Sequence, residues 1–148
     1  MAGLVVHEIE RRCADDGLVL GRLSVDIPGR FIAGVEVRRG VTAEPGRAFA
    51  WVRSTVALLE DEPVSDLAHW VGLLDTANGI AVRESPRKWH FPNVDVTLHL
   101  HRLPVGGWVG LDTTEHFGEG GLGLTESVVH DERGPVGRLA QALTVRPR

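Results

Sequence analysis

The sequence predicts an α+β domain in which an antiparallel sheet wraps around one central helix. Three observations carry that reading. Ser65–Asn78 has the periodicity of a longer helix, with Leu67, Trp70, Val71 and Leu74 at i, i+3, i+4 and i+7. The segments on either side alternate apolar and polar residues as strands do. Short turns rich in Gly, Pro and Asp separate those segments, without the strand–helix alternation of a parallel sheet.

Leu4–Ala14 reads as a short helix whose apolar stripe is Leu4, Val5, Ile9 and Cys13, and Asp15-Asp16-Gly17 ends it. Leu18–Ile27 reads as a strand closed by Pro28-Gly29. Phe31–Arg38 and Ala48–Leu58 are two more strands, joined through Glu44-Pro45-Gly46. In the helix Ser65–Asn78, Ser65 is the N-cap, Asp66 suits the first turn, and Asn78-Gly79 is the stop. Mostly sheet follows: Val94–Arg102, a turn at Leu103–Gly107, Trp108–His116, a glycine-rich link over Gly118–Gly123, Leu122–His130, a turn over Asp131–Gly134, and Val136–Val145. The tryptophans at 51, 70, 89 and 108 are evenly spaced, but Trp70 falls in a helical pattern and Trp108 in a strand pattern, so the spacing is not a repeat.

The chain has 148 residues, enough for one domain with a core, and 43% of them are hydrophobic. Its net charge of −4 and scattered arginines supply no basic surface for a phosphate backbone, which argues against nucleic acid as a partner. A single cysteine, Cys13, excludes an internal disulfide and paired-cysteine metal knuckles. No basic-then-apolar leader and no apolar run of membrane-spanning length occur, so the expected setting is cytoplasmic, with no membrane partner.

The most unusual stretch is Phe91–Arg102, FPNVDVTLHLHR. Strict alternation puts Val94, Val96, Leu98 and Leu100 on one face and Asn93, Asp95, Thr97, His99 and His101 on the other. That polar row points to chemistry or to a polar interface. Two further residues stand out. Asp75, at the edge of the apolar stripe near the helix C-terminus, is placed as a general base. Gln141 shares a strand face with Leu139, Leu143 and Val145, so its amide is expected to be buried and in need of partners. His99 and His101 have the strand spacing of a metal pair, but no compact third ligand accompanies them, and no metal is expected. The run Gly118–Gly123 is not followed by a helix or a Lys-Ser/Thr pair, so it reads as a connection rather than a phosphate loop.

From about Gly34 to Arg148 the chain resembles the second half of the acyl-CoA thioesterase II-like proteins, which are built from two fused hot dog domains. The resemblance rests on Leu74-Asp75 with Asn78-Gly79, on Phe91–Arg102, on Trp108–Asp112, on Gly123–Ser127, and on Gly134–Arg138 with Gln141. It implies a hot dog fold over 34–148, with 1–33 resembling the remnant of a first hot dog. In that family an Asp, a Thr or Ser, and a Gln activate a water against the thioester carbonyl. Asp75 and Gln141 match the Asp and the Gln. The hydroxyl position falls on Asn93, which orients water but carries no hydroxyl, and Thr97, four residues on, is the substitute. The catalytic set implied is therefore Asp75, Asn93, Thr97 and Gln141. Backbone N–H groups at Asn78 and Gly79 are expected to polarise the carbonyl, with Asp95 in support. The resemblance further implies an acyl-CoA substrate, no cofactor, and a homodimer that replaces the first half. Two alternatives stand beside hydrolysis: an acyl- or CoA-binding module without turnover, and a hydratase or dehydratase on the same fold.

Overall fold

A computed structural model describes residues 2–12, 22–26 and 34–148. The strand Leu18–Ile27, the turn Pro28-Gly29 and Cys13 therefore lie wholly or partly outside the described residues. Helix α1 spans Ala2–Arg12, and strand β1 Arg22–Asp26. Strands β2 (Val35–Glu44) and β3 (Arg47–Ser54) form a hairpin, with Gly46 at φ 80° in its turn, a conformation that glycine takes without strain. Helix α2 (Asp66–Gly72) and a 3-10 turn (Leu74–Gly79) come next, then β4 (Trp89–His90) and β5 (Asp95–Leu100). The chain ends with β6 (Val109–Phe117), β7 (Leu122–Asp131), β8 (Gly134–Thr144) and β9 (Arg146–Pro147).

Seven strands form one antiparallel sheet in the order β1-β5-β8-β7-β6-β3-β2. Its inner face carries Ala50, Val52, Val96, Leu98, Leu111, Val129 and Leu139, which pack with Trp70, Val71, Leu74 and Ala77 from the helical segment. One helix embraced by a curved antiparallel sheet is the hot dog arrangement that the sequence predicts. The pair β4–β9 forms a separate two-stranded sheet, too short to show a sequence period.

The helices differ from expectation in two ways. The central helix is not continuous. Ser65 caps it as expected, accepting from the Ala68 N–H at 3.0 Å. After Gly72, however, the hydrogen bonds shorten to three residues, Thr76 N–H to Leu73 O (3.1 Å) and Ile80 N–H to Ala77 O (3.0 Å). The Thr76 hydroxyl also donates to Leu73 O at 2.6 Å, a local bond that competes with the helical pattern. The first helix is rolled from its expected face. Ala2, Gly3 and Val6 are buried, whereas Leu4 and Ile9 are each 41% exposed. The cause is a close approach to α2: a Cβ at Gly3 would lie 2.4 Å from Ala68 O and 3.0 Å from the Gly72 Cα. Only a glycine fits there, and that contact decides which face turns inward.

Two buried ionisable groups sit at opposite ends of the sheet. At the β7–β8 turn the Arg102 guanidinium forks onto Asp131, with 2.5 and 2.7 Å bonds to its two oxygens. The N–H groups of Val105 (2.9 Å) and Arg133 (2.8 Å) complete the cage. Arg102, with help from those N–H groups, holds the Asp131 carboxyl well below the usual carboxylate range. On the inner face, Glu115 of β6 is fully buried. Burial pushes its carboxyl up from the ordinary 4.5 to about 7, opposed in part by the Arg83 N–H, which donates to its Oε2 at 2.8 Å.

These groups predict opposite pH dependences. Asp131 is ionised at lower pH in the folded state than in the unfolded chain. Its contribution is present above the ordinary Asp range and is lost as pH falls toward its depressed folded value. Asp131→Asn and Arg102→Met are each expected to lower the thermal midpoint by several degrees at pH 7, with the difference from wild type shrinking in acid. Glu115 keeps its proton in the folded state up to about pH 7, whereas the unfolded chain loses it near 4.5, so stability falls as pH rises across that window. Chemical denaturation of wild type is expected to show a loss approaching about 3 kcal/mol between pH 4.5 and 8, and Glu115→Gln is expected to flatten it. Parallel curves for the two proteins would refute this role.

Candidate functional site

The site begins where the helical segment ends. Asp75 lies in the first turn of the 3-10 segment, half-buried beside Leu74 and Ala77. The same segment packs on β6 and β7. Its far end is fixed from two sides. Arg39 of β2 donates to Ile80 O (2.7 Å) and Gly79 O (3.3 Å), and the Asn78 side chain donates to Phe91 O (3.3 Å). Phe91 in turn packs against Phe117 at the end of β6, with ring centroids 5.6 Å apart. The backbone around Asn78-Gly79 is thereby pinned between the sheet and the segment that leads into β5.

Asn93 meets Asp75 directly: its Nδ2 donates to Asp75 Oδ1 at 2.7 Å. A slip in strand pairing makes this contact. Thr97 pairs with Ala140 of β8, but Asn93 pairs with Leu143 rather than with the residue a regular ladder would oppose to it. The extra residue sits around Val94 and Asp95. There Val94 N–H donates to Ala142 O (2.9 Å), and Ala142 N–H donates to the Asp95 carboxylate (2.5 Å) instead of to a strand carbonyl. A bulge of this kind flips the face of every residue beyond it.

The single polar row expected over Phe91–Arg102 is therefore split. Asn93 shares the inner face with buried Leu143 and turns toward Asp75. Thr97 lies across from Ala140, on the face opposite buried Val96 and Leu98, so it does not stand in for a hydroxyl beside Asn93. Asp95 holds the bulge by accepting the Ala142 N–H. His99 and His101 are exposed, and among the described residues no group of three His, Cys, Asp or Glu is placed to hold a metal ion.

Gln141 lies on the inner face as expected, fully buried between Leu139 and Leu143. It is two residues along β8 from Leu143, the partner of Asn93, which is roughly 7 Å. Neither its amide oxygen nor its nitrogen has a hydrogen-bond partner among the described residues. The structure thus gathers Asp75, Asn93, Gln141 and the Asn78-Gly79 backbone at one end of the helical segment, and leaves Thr97 and Asp95 outside. Gln141 also belongs to a cross-strand rung that the sequence reading passed over, with Thr125 of β7 and Glu115 of β6. The signal was present in β6, where the inward positions run Val109, Leu111, Thr113, Glu115 and so carry an acid on the core face.

A further groove runs along α2, lined by Asp66, His69, Trp70 and Leu73 together with Arg53 and Gly106.

Comparison with known proteins agrees with the fold. The model of the family described as the acyl-CoA thioesterase C-terminal domain matches residues 14–145. An acyl-CoA thioesterase II, TesB2, from Mycobacterium marinum superposes with a TM-score of 0.59 at 19% identity, covering 88% of this chain and 57% of that one. A tesB protein from Mycobacterium avium subs paratuberculosis gives 0.58 at 20% identity, covering 83% and 54%. A hot dog protein of unknown function from Alicyclobacillus acidocaldarius gives 0.54 at 16% identity, covering 84% and 54%. The chain spans little more than half the length of these three structures. No curated protein matches it. With nearly the whole chain matched by the family model, this protein belongs to the acyl-CoA thioesterase C-terminal domain family.

Proposed function

We propose that this domain hydrolyses an acyl-CoA thioester to the free acid and CoA, with Asp75, Asn93 and Gln141 as the reacting side chains. The observation that carries the reading is the 2.7 Å bond from Asn93 to Asp75 beside a buried Gln141 whose amide has no partner among the described residues. Asn93 engages one oxygen of Asp75 and fixes the direction of the other. A water held between Asp75 Oδ2 and the Asn93 amide oxygen loses a proton to Asp75 as its oxygen attacks the carbonyl carbon. Gln141 Nε2 donates to the thioester oxygen, and the pinned Asn78-Gly79 backbone supplies N–H groups for the oxyanion. The C–S bond then breaks, and the CoA thiolate leaves and takes up the proton.

Asn93 in place of a hydroxyl favours one second reading, an acyl-CoA-binding domain without turnover. Release of free CoA from a panel of acyl-CoAs separates the two. Hydrolysis predicts that Asp75→Asn and Gln141→Ala each lower kcat by about 10²- to 10³-fold, with folding unchanged by circular dichroism. Full turnover in both variants would refute the assignment.

The working unit we propose is a homodimer. Strand β1 occupies the outer edge of β5, and among the described residues no other strand pairs with the outer N–H and C=O groups of β1. The opposite edge, β2, is interrupted by a bulge between Arg39 and Ala43, which blunts it for pairing. Light scattering is expected to give twice the chain mass at micromolar concentration. A stable monomer would overturn the dimer and leave the chemistry to the assay above.

A further inference from the structure

The inner face of the sheet carries more hydrogen-bonding groups than hydrolysis uses. Glu115, Thr125 and Gln141 are direct neighbours across β6, β7 and β8, and all three are essentially fully buried. Glu115 Oε2 is held by the Arg83 N–H, but Glu115 Oε1, Thr125 Oγ1 and both Gln141 amide atoms have no partner among the described residues. The next rung shows how such groups are closed when nothing else needs them: Thr113 and Ser127 bond each other at 2.8 Å. An unpaired buried polar atom costs on the order of 1–3 kcal/mol, so several on one rung point to an occupant with polar groups of its own. The position fits an occupant that enters past Asp75, because the 3-10 segment carrying Asp75 packs on β6 and β7, the strands that carry Glu115 and Thr125.

We propose that Glu115 and Thr125 are specificity-determining residues that hydrogen-bond a hydroxyl on the acyl chain, so that the site selects a hydroxylated acyl group over a plain alkyl chain. This rests on the acyl-CoA reading above. Gln141 is left to the thioester, while Thr125 Oγ1 and Glu115 Oε1 face the chain beyond it. A hydroxyl both donates and accepts, and so satisfies the two together. A plain alkyl chain displaces water and leaves both unpaired, the situation in which polar sites discriminate most strongly.

The test is binding, independent of turnover. The probes are the non-hydrolysable thioether S-hexyl-CoA and its 3-, 4- and 5-hydroxy derivatives, measured by calorimetry on the intact protein. Wild type is expected to bind one hydroxylated probe about tenfold or more tightly than S-hexyl-CoA. Thr125→Val, which keeps the side-chain shape, and Glu115→Leu are each expected to erase most of that preference, while Glu115→Gln keeps part of it. Should Glu115→Leu fail to fold, Thr125→Val against wild type carries the comparison. Equal binding of all four probes, binding of none, or a preference unchanged in Thr125→Val would overturn the proposal. A preference that stands while hexanoyl-CoA and its hydroxylated counterpart release no CoA supports the specificity assignment and removes only the hydrolysis.

Discussion

The pairing slip between β5 and β8 decides which side chains can meet at this site. Two strands with period-two side chains keep every alternate residue on one face for as long as the ladder is regular. A regular ladder from Thr97 back to Asn93 would leave both on the outer face and remove the Asn93 bond to Asp75. One extra residue around Val94 and Asp95 turns Asn93 inward and leaves Thr97 outside. The slip frees the Ala142 N–H from the ladder, and Asp95 takes it. Asp95 thus acts on the site through the backbone, by stabilising the bulge that delivers Asn93.

The helical break complements the slip. A continuous α-helix from Ser65 to Asn78 would advance Asp75 and Asn78 by 100° per residue along one straight axis. The 3-10 segment after Gly72 winds more tightly, and its last carbonyls, at Gly79 and Ile80, are taken by Arg39. Gly72 has a second role, since it also forms the close contact with Gly3. The same short region seats α1, ends the α-helix and starts the turn that carries Asp75. The packing of α1 and the geometry of the site are therefore linked through the short stretch from Gly72 to Asp75.

Much of this was legible in the sequence, and the parts that were not share a cause. Strand existence, the Ser65 cap, the burial of Trp70, Val71 and Leu74, and the inward placement of Gln141 all follow from periodicity, which a single sequence displays. The division of Phe91–Arg102 into two faces did not, because a bulge is set by the pairing partner, and alternation in one strand carries no record of it. The roll of α1 escaped for a similar reason. Leu4 and Ile9 look like the stripe in isolation, yet the tertiary contact at Gly3 overrides them. Glu115 escaped because an acid between a threonine and a histidine reads as a solvent face until the neighbouring inward residues fix its side.

The inner face of this sheet departs from the usual rule that a core excludes polar groups unless they are paired. Going from the Val52–Val109 end toward Gly46, the rungs change from apolar, to a self-satisfied Thr113–Ser127 pair, to Glu115, Thr125 and Gln141, which carry unpartnered polar atoms among the described residues. That gradient runs toward Asp75, not away from it. A core that only had to be stable would place its unsatisfied groups nowhere, since apolar residues of similar volume cost less. A carboxyl kept protonated to about pH 7 by its surroundings is likewise a group the fold carries at a cost above that pH. Polar groups concentrated on the strands beneath the Asp75 turn are what a ligand-binding interior requires, so the stability sacrificed there is best explained by what the domain binds.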